Sequence, residues 1–174
     1  YEIFNFLLEK IPGFKNARLT GEAPLLGVRE VRRIKGKYIL SDDDLSSGRR
    51  FPDEVALGGF PVDIHRPEGS GIESREVGGE GFYGIPYFSL VAEKISNLLI
   101  TGKCFSATFC AHASARVQAT VMAMGQAVGT AAALSSREGI EPAELSIDKL
   151  REQLIRDNVI LEPADPLPLP GENL

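Results

Sequence analysis

Cysteine is scarce in this chain, and the scarcity is informative. Two occur in 174 residues, Cys104 and Cys110, with five residues between them. That spacing fits neither a two-residue redox pair nor a zinc pattern. Free, buried thiols in a reducing compartment are the simplest expectation, and with them a cytoplasmic location. Long apolar runs are also missing, since a spanning helix needs about 18 or more strongly apolar residues. The closest stretch, Ala119 to Leu134, is shorter and contains Gln126, so it reads as a buried helix. An excess of basic residues is absent too. The net charge is −5, neither half is basic, and nucleic-acid binding is not expected. No Gly-x-Gly-x-x-Gly run after a strand reads as the turn that holds a dinucleotide pyrophosphate. Carboxylates, finally, are absent from Ile95 to Ser136, where Lys103 and Arg116 are the two charged residues.

That last stretch carries most of the information. Asn97-Leu-Leu-Ile100 reads as a short buried strand before Gly102, and Ser114 to Ser136 as one long helix. Ala115, Ala119, Ala123, Ala127 and Ala131 recur every four residues, with Gly125 and Gly129 on another such row. Small faces of this kind allow close backbone approach to a sheet or helix. A strand leading to a helix amino end, with only cations nearby, suits a bound anion, because free N–H groups and the helix dipole both face it.

The remaining pattern predicts a helix over 2–10, stopped at Pro12-Gly13, and a hairpin over 27–40 turning at Lys35-Gly36. Ser41 and Asp44 have the spacing of a helix capping box, which accounts for the Asp42-Asp-Asp44 run without a metal. Strands are expected at 54–57 and 60–65, a long glycine-rich loop at 66–81, and extended chain at 85–90. Ser146 caps a last amphipathic helix, with Leu145 and Leu150 as its staple, and a proline-rich tail follows. The expected fold is therefore mixed α/β: antiparallel strands in the first half, then a long small-residue helix packed on a sheet. Residues 1–94 form one expected segment, substrate-facing or cap-like, and 95–174 a second. Starting at Tyr1 directly in a helix pattern, the chain reads as part of a longer protein.

Four stretches resemble the FAD-dependent oxidoreductases of the two-dinucleotide-binding-domain flavoprotein group, specifically their carboxy-terminal part. They are Gly27-Val-Arg-Glu-Val-Arg-Arg-Ile34, Gly84-Ile-Pro-Tyr-Phe-Ser-Leu90, Asn97-Leu-Leu-Ile-Thr-Gly-Lys103, and Ala113-Ser-Ala-Arg-Val117 running on to Gly125-Gln-Ala-Val-Gly-Thr-Ala-Ala-Ala-Leu134. The resemblance implies that FAD is the cofactor, with Gly102, Lys103 and Ser106 beside its ribityl-pyrophosphate part. It implies that Ser114, Arg116 and Val117 face the flavin ring, where a helix amino end stabilises charge gathering at N1 and O2. Lys103 stands where the family usually has arginine, which keeps the charge and loses the planar fork. Without a dinucleotide fingerprint, the ADP half of FAD needs a further glycine-rich segment, and the isolated chain is expected to be inactive.

Other residues carry open alternatives. Asp63 and His65 share a strand face and suit either an acid/base pair or a surface pair. Arg29, Arg32 and Arg33 suit a solvated edge or a grip on a carboxylate or sugar-acid substrate. His112 suits a position over the flavin or a structural role, and Tyr87 a proton donor or packing. A small-molecule substrate is expected, and self-association through uncovered apolar faces. The alternative to an enzyme is a binding module in which the small-residue helix only packs.

Overall fold

A computed structural model describes residues 1–30, 32–65 and 72–162, without the side chains of His65, Ile72 and Glu73. Its elements are α1 (Glu2–Lys10), α2 (Asp42–Ser46), β1 (Glu54–Gly58), β2 (Val62–His65), β3 (Ile72–Arg75), β4 (Tyr83–Pro86), α3 (Phe109–Ala115), α4 (Gln118–Glu138) and α5 (Ile147–Arg156). Single 3-10 turns lie at Tyr87–Ser89, Gly102–Cys104 and Pro142–Glu144. The strands form two antiparallel pairs, β1 with β4 and β2 with β3. Helix α4 packs on β1 and against α5, and α3 packs on β2, so the core draws on both halves of the chain.

Local chemistry explains where several elements begin. The Ser41 hydroxyl accepts from the Asp44 N–H, and the Asp44 carboxylate accepts from the Ser41 N–H at 2.9 Å, closing the capping box. Ser146 caps α5 by accepting from the Lys149 N–H, and Leu150 and Leu154 bury the inner face of that helix. Glu54, at 2% exposure, accepts from Arg50 and from the Phe51 N–H. Its side chain runs across Gly84, where any Cβ would stand 2.1 Å from a carboxylate oxygen. The α1 helix forms as expected from its pattern and buries no residue.

Several expectations are corrected. The 27–40 hairpin does not form among the described residues. Gly36 and Leu40 instead make isolated bridges to Ala92 and Ala107, so the segment is stitched to later chain rather than to itself. The 66–81 loop contains β3, which pairs with β2 across residues 66–71, themselves outside the description. Gly79, Gly81 and Gly84 have Gly-x-Gly-x-x-Gly spacing, but they lead into β4 and no helix follows, so they are not a dinucleotide turn. The 85–90 segment turns after Pro86. The 97–100 strand reduces to one bridge, Leu99 with Val91, and is half-buried at most. Cys104 is exposed and Cys110 half-buried; both are free. The proline-rich tail beyond Glu162 lies outside the described residues.

The correction that matters most concerns the long helix. It is two helices, α3 and α4, bent by 91° at Arg116-Val117. Thr108 caps α3, accepting from the Ala111 N–H and donating to Asp42. Thr120, Met124, Ala127, Ala131 and Ser135 form the buried face of α4. Gly125 and Gly129 face open space, so of the two small-residue rows only part is packed. Among the described residues no single helix is long and apolar enough to cross a bilayer; α3 and α4 meet that test only together, across the bend.

Candidate functional site

The bend exposes the amino end of a 21-residue helix. Val117 is its N-cap, with extended backbone (φ −66°, ψ 152°) and no side-chain capping bond. An uncapped terminus leaves backbone N–H donors and the positive end of the dipole available. A cavity of about 430 Å³ opens there, lined by Arg29, Asp63, Lys103, Arg116, Val117 and Gln118 together with Phe60, Ala113 and Val121. This is within the range of about 300–1,000 Å³ typical of small-molecule sites. A second hollow of about 310 Å³ shares Arg29, Asp63, Ala113 and Arg116 with it. On the other side of Phe60 and Val117 lies an apolar groove bounded by Leu57, Met122 and Ile160.

Two cations tie the 28–30 segment to this corner. Lys103 donates from Nζ to the Val28 carbonyl, and Arg116 donates to the Arg29 carbonyl at 3.1 Å. Arg116 also stands 3.9 Å from Glu30, which pairs with Arg33 at 3.8 Å, and Arg29 stands 3.7 Å from Asp63. Gly102 opens the turn that presents Lys103. Its φ of +71° lies in the left-handed region that favours glycine, and a Cβ there would meet nothing within 4 Å.

Behind the cavity the polar side chains are buried. Ser114 is fully buried inside α3 and not at a helix start. It donates to the Phe60 carbonyl, so its 2.7 Å contact with Tyr83 is one in which the tyrosine hydroxyl donates. Burial pushes the Tyr83 hydroxyl up to about 12. His112 is fully buried and stacks on Phe105 at 5.7 Å. Its Nε2 lies 2.8 Å from the Lys103 carbonyl, which can only accept, so Nε2 carries the proton. Burial holds the imidazole below its ordinary value, outweighing the bond to Lys103, so the ring is neutral and steadies the Gly102–Cys104 turn from behind. Ser106 is buried away from the cavity, against Gly36. Tyr87 packs with its hydroxyl on the Pro142 carbonyl at 2.9 Å.

Of the residues singled out from the sequence, Arg29, Asp63, Lys103, Arg116 and Val117 therefore line one cavity, with Gly102 next to it in the chain. Arg33 reaches it only through Glu30, and Ser106, Ser114 and His112 stand behind it. His65 lies on β2 with Asp63, and its side chain is outside the description. Phe60 and Gln118 were not anticipated. Phe60 reaches the site because β2 lies against α3, a pairing with no local sequence signal.

An open helix amino end, a left-handed glycine turn and a cavity lined by Arg29, Lys103 and Arg116 with Asp63 thus share one corner of a mixed α/β scaffold. The model of the FAD dependent oxidoreductase family matches residues 1–154, most of the chain. The chain belongs to this family. No curated protein and no solved structure matches it.

Proposed function

We propose that this chain forms the flavin-ring side of an FAD-dependent oxidoreductase site. The observation that carries the reading is the uncapped amino end of α4, opening on a cavity walled by Lys103 and Arg116. When bound, the flavin exchanges a hydride equivalent with an organic substrate, and negative charge then gathers on the pyrimidine edge of its ring. The α4 terminus suits that charge because its amides are fixed beforehand and need no reorganisation. Gly102 allows close approach of the backbone and Lys103 adds a cation beside it. His112, buried and bonded through Nε2, orients the Lys103 carbonyl.

The test is a titration of the chain with FAD, followed by thermal unfolding and by flavin fluorescence. Saturable quenching is expected, with a melting temperature that rises with FAD concentration. A Gly102→Val variant should weaken both, since a branched side chain is strained at that φ and fills the approach. Absence of quenching and of stabilisation at every FAD concentration overturns the reading.

A further inference from the structure

We propose that the cleft in front of the α3–α4 corner takes a small organic carboxylate, held by Arg29 with Arg116, as the substrate of the flavin site. The inference rests on the flavin reading for what the acid does there, though not for its binding. Arg29, Asp63, Ala113 and Arg116 wall both adjoining cavities, of about 430 and 310 Å³, so the two form one cleft with room beside a cofactor ring.

The charges at this cleft do not balance. Arg29, Arg33, Lys103 and Arg116 face only two carboxylates, Glu30 and Asp63, which leaves two positive charges over among the described residues. Among the described residues, the contacts of Arg29 with Asp63 and of Arg33 and Arg116 with Glu30 are loose, at 3.7 to 3.9 Å, beyond hydrogen-bond length. The contrast within the same molecule is Arg50, whose Nε reaches both Glu54 oxygens at 3.0 Å. Arg116 is the sharper case. Its side chain is only 13% exposed, yet among the described residues it donates one hydrogen bond, to the Arg29 carbonyl. A largely buried guanidinium with unused donors at a cavity wall has desolvation left to recover, and an incoming anion recovers it. A planar fork matches a carboxylate better than a spherical anion.

Arg29 separates the acid from the cofactor by degree, because it stands on the Asp63 side of the shared cleft, outside the Gly102–Val117 stretch assigned to FAD. The experiment titrates succinate, gluconate and benzoate, with succinamide and inorganic phosphate as controls, into the chain with and without FAD, by calorimetry. The variants are Arg29→Gln and Arg29→Lys, each checked for native circular dichroism. At least one acid is expected to bind, with succinamide silent and phosphate weaker. Arg29→Gln should weaken that acid about 10-fold or more, Arg29→Lys less, and FAD binding should weaken by a smaller factor than acid binding in both. Binding of none of the three acids, phosphate binding as tightly as the best acid, or a loss of FAD affinity in Arg29→Gln at least as large as its loss of acid affinity each overturns the proposal. FAD binding without acid binding leaves the flavin reading standing, whereas acid binding without FAD binding removes that reading and keeps the carboxylate site.

Discussion

Filling the bare N-cap of α4 should strengthen the fold and weaken the cofactor site together. Val117 occupies the cap with extended backbone suited to a capping side chain, and supplies none. In Val117→Asp the carboxylate can accept from the Gln118-to-Thr120 turn, a gain of about 1 kcal/mol. Its charge adds roughly 0.3–1 kcal/mol against the helix dipole. Against this stands the loss of a half-buried isopropyl group, which costs about 1 kcal/mol at one methylene-equivalent. The net expectation is a stabilisation of about 0.3–1 kcal/mol, or some 1–4 °C in a chain of this size. The same carboxylate occupies the amides that the cofactor is proposed to use, so FAD affinity should fall about 10-fold or more. Val117→Thr keeps the shape, caps without charge, and should weaken FAD less. Urea unfolding and flavin-fluorescence titration of the three proteins decide it. If Val117→Asp stabilises while FAD binding stays within a factor of two of wild type, the α4 terminus does not touch the anionic part of the cofactor. If it destabilises by more than about 1 kcal/mol, the terminus is not open.

Three further outcomes are expected. Ser114→Ala leaves a buried Tyr83 hydroxyl without its acceptor and should cost about 2–3 kcal/mol, more than Tyr83→Phe at about 1 kcal/mol; urea unfolding in the reverse order would contradict the assigned donor directions. Gly84→Ala drives Glu54 off Arg50 and should cost about 3–5 kcal/mol by denaturant unfolding, and a cost under about 1 kcal/mol would mean the carboxylate is free to move. For acid stability, burial alone pushes the Asp44 carboxyl up, but bonds from Ser41, Tyr38 and Arg49 outweigh it and hold it below the ordinary value. A depressed folded value means a contribution fully present above about pH 4 and lost as pH falls through the folded value. Asp44→Asn should therefore be less stable than wild type at pH 7 and show a flatter acid limb in a pH series of melting temperatures. Parallel curves would refute that assignment.

The parts legible in sequence were those set by neighbours a few residues apart. The Ser41–Asp44 box, the Ser146 cap and strands β1 and β2 are fixed by side chains within one turn or one pleat, and they form as their patterns require. The failures have a common origin in partners far along the chain. Residues 27–40 alternate like a hairpin, but their backbone partners are Phe88, Val91, Cys104 and Ser106, which no local rule supplies. The α3–α4 bend falls at Arg116-Val117, with neither glycine nor proline to mark it. Arg116 binds the Arg29 carbonyl there, a contact across 87 positions. The cation-lined character of the site was legible from the missing carboxylates between Ile95 and Ser136. Its geometry was not, because the bend moves Ser114 into the interior and makes Val117 the helix start.

The central claim is that the cofactor's charge sits at the amino end of α4. Amide chemical-shift mapping by two-dimensional NMR, with FAD titrated into the isotopically labelled chain, reads this residue by residue. The amides of Gln118, Ala119, Thr120, Gly102 and Lys103 are expected to move most, with α1 and α5 unmoved. Largest shifts on α5 or β1, or none anywhere as FAD is raised, would contradict it.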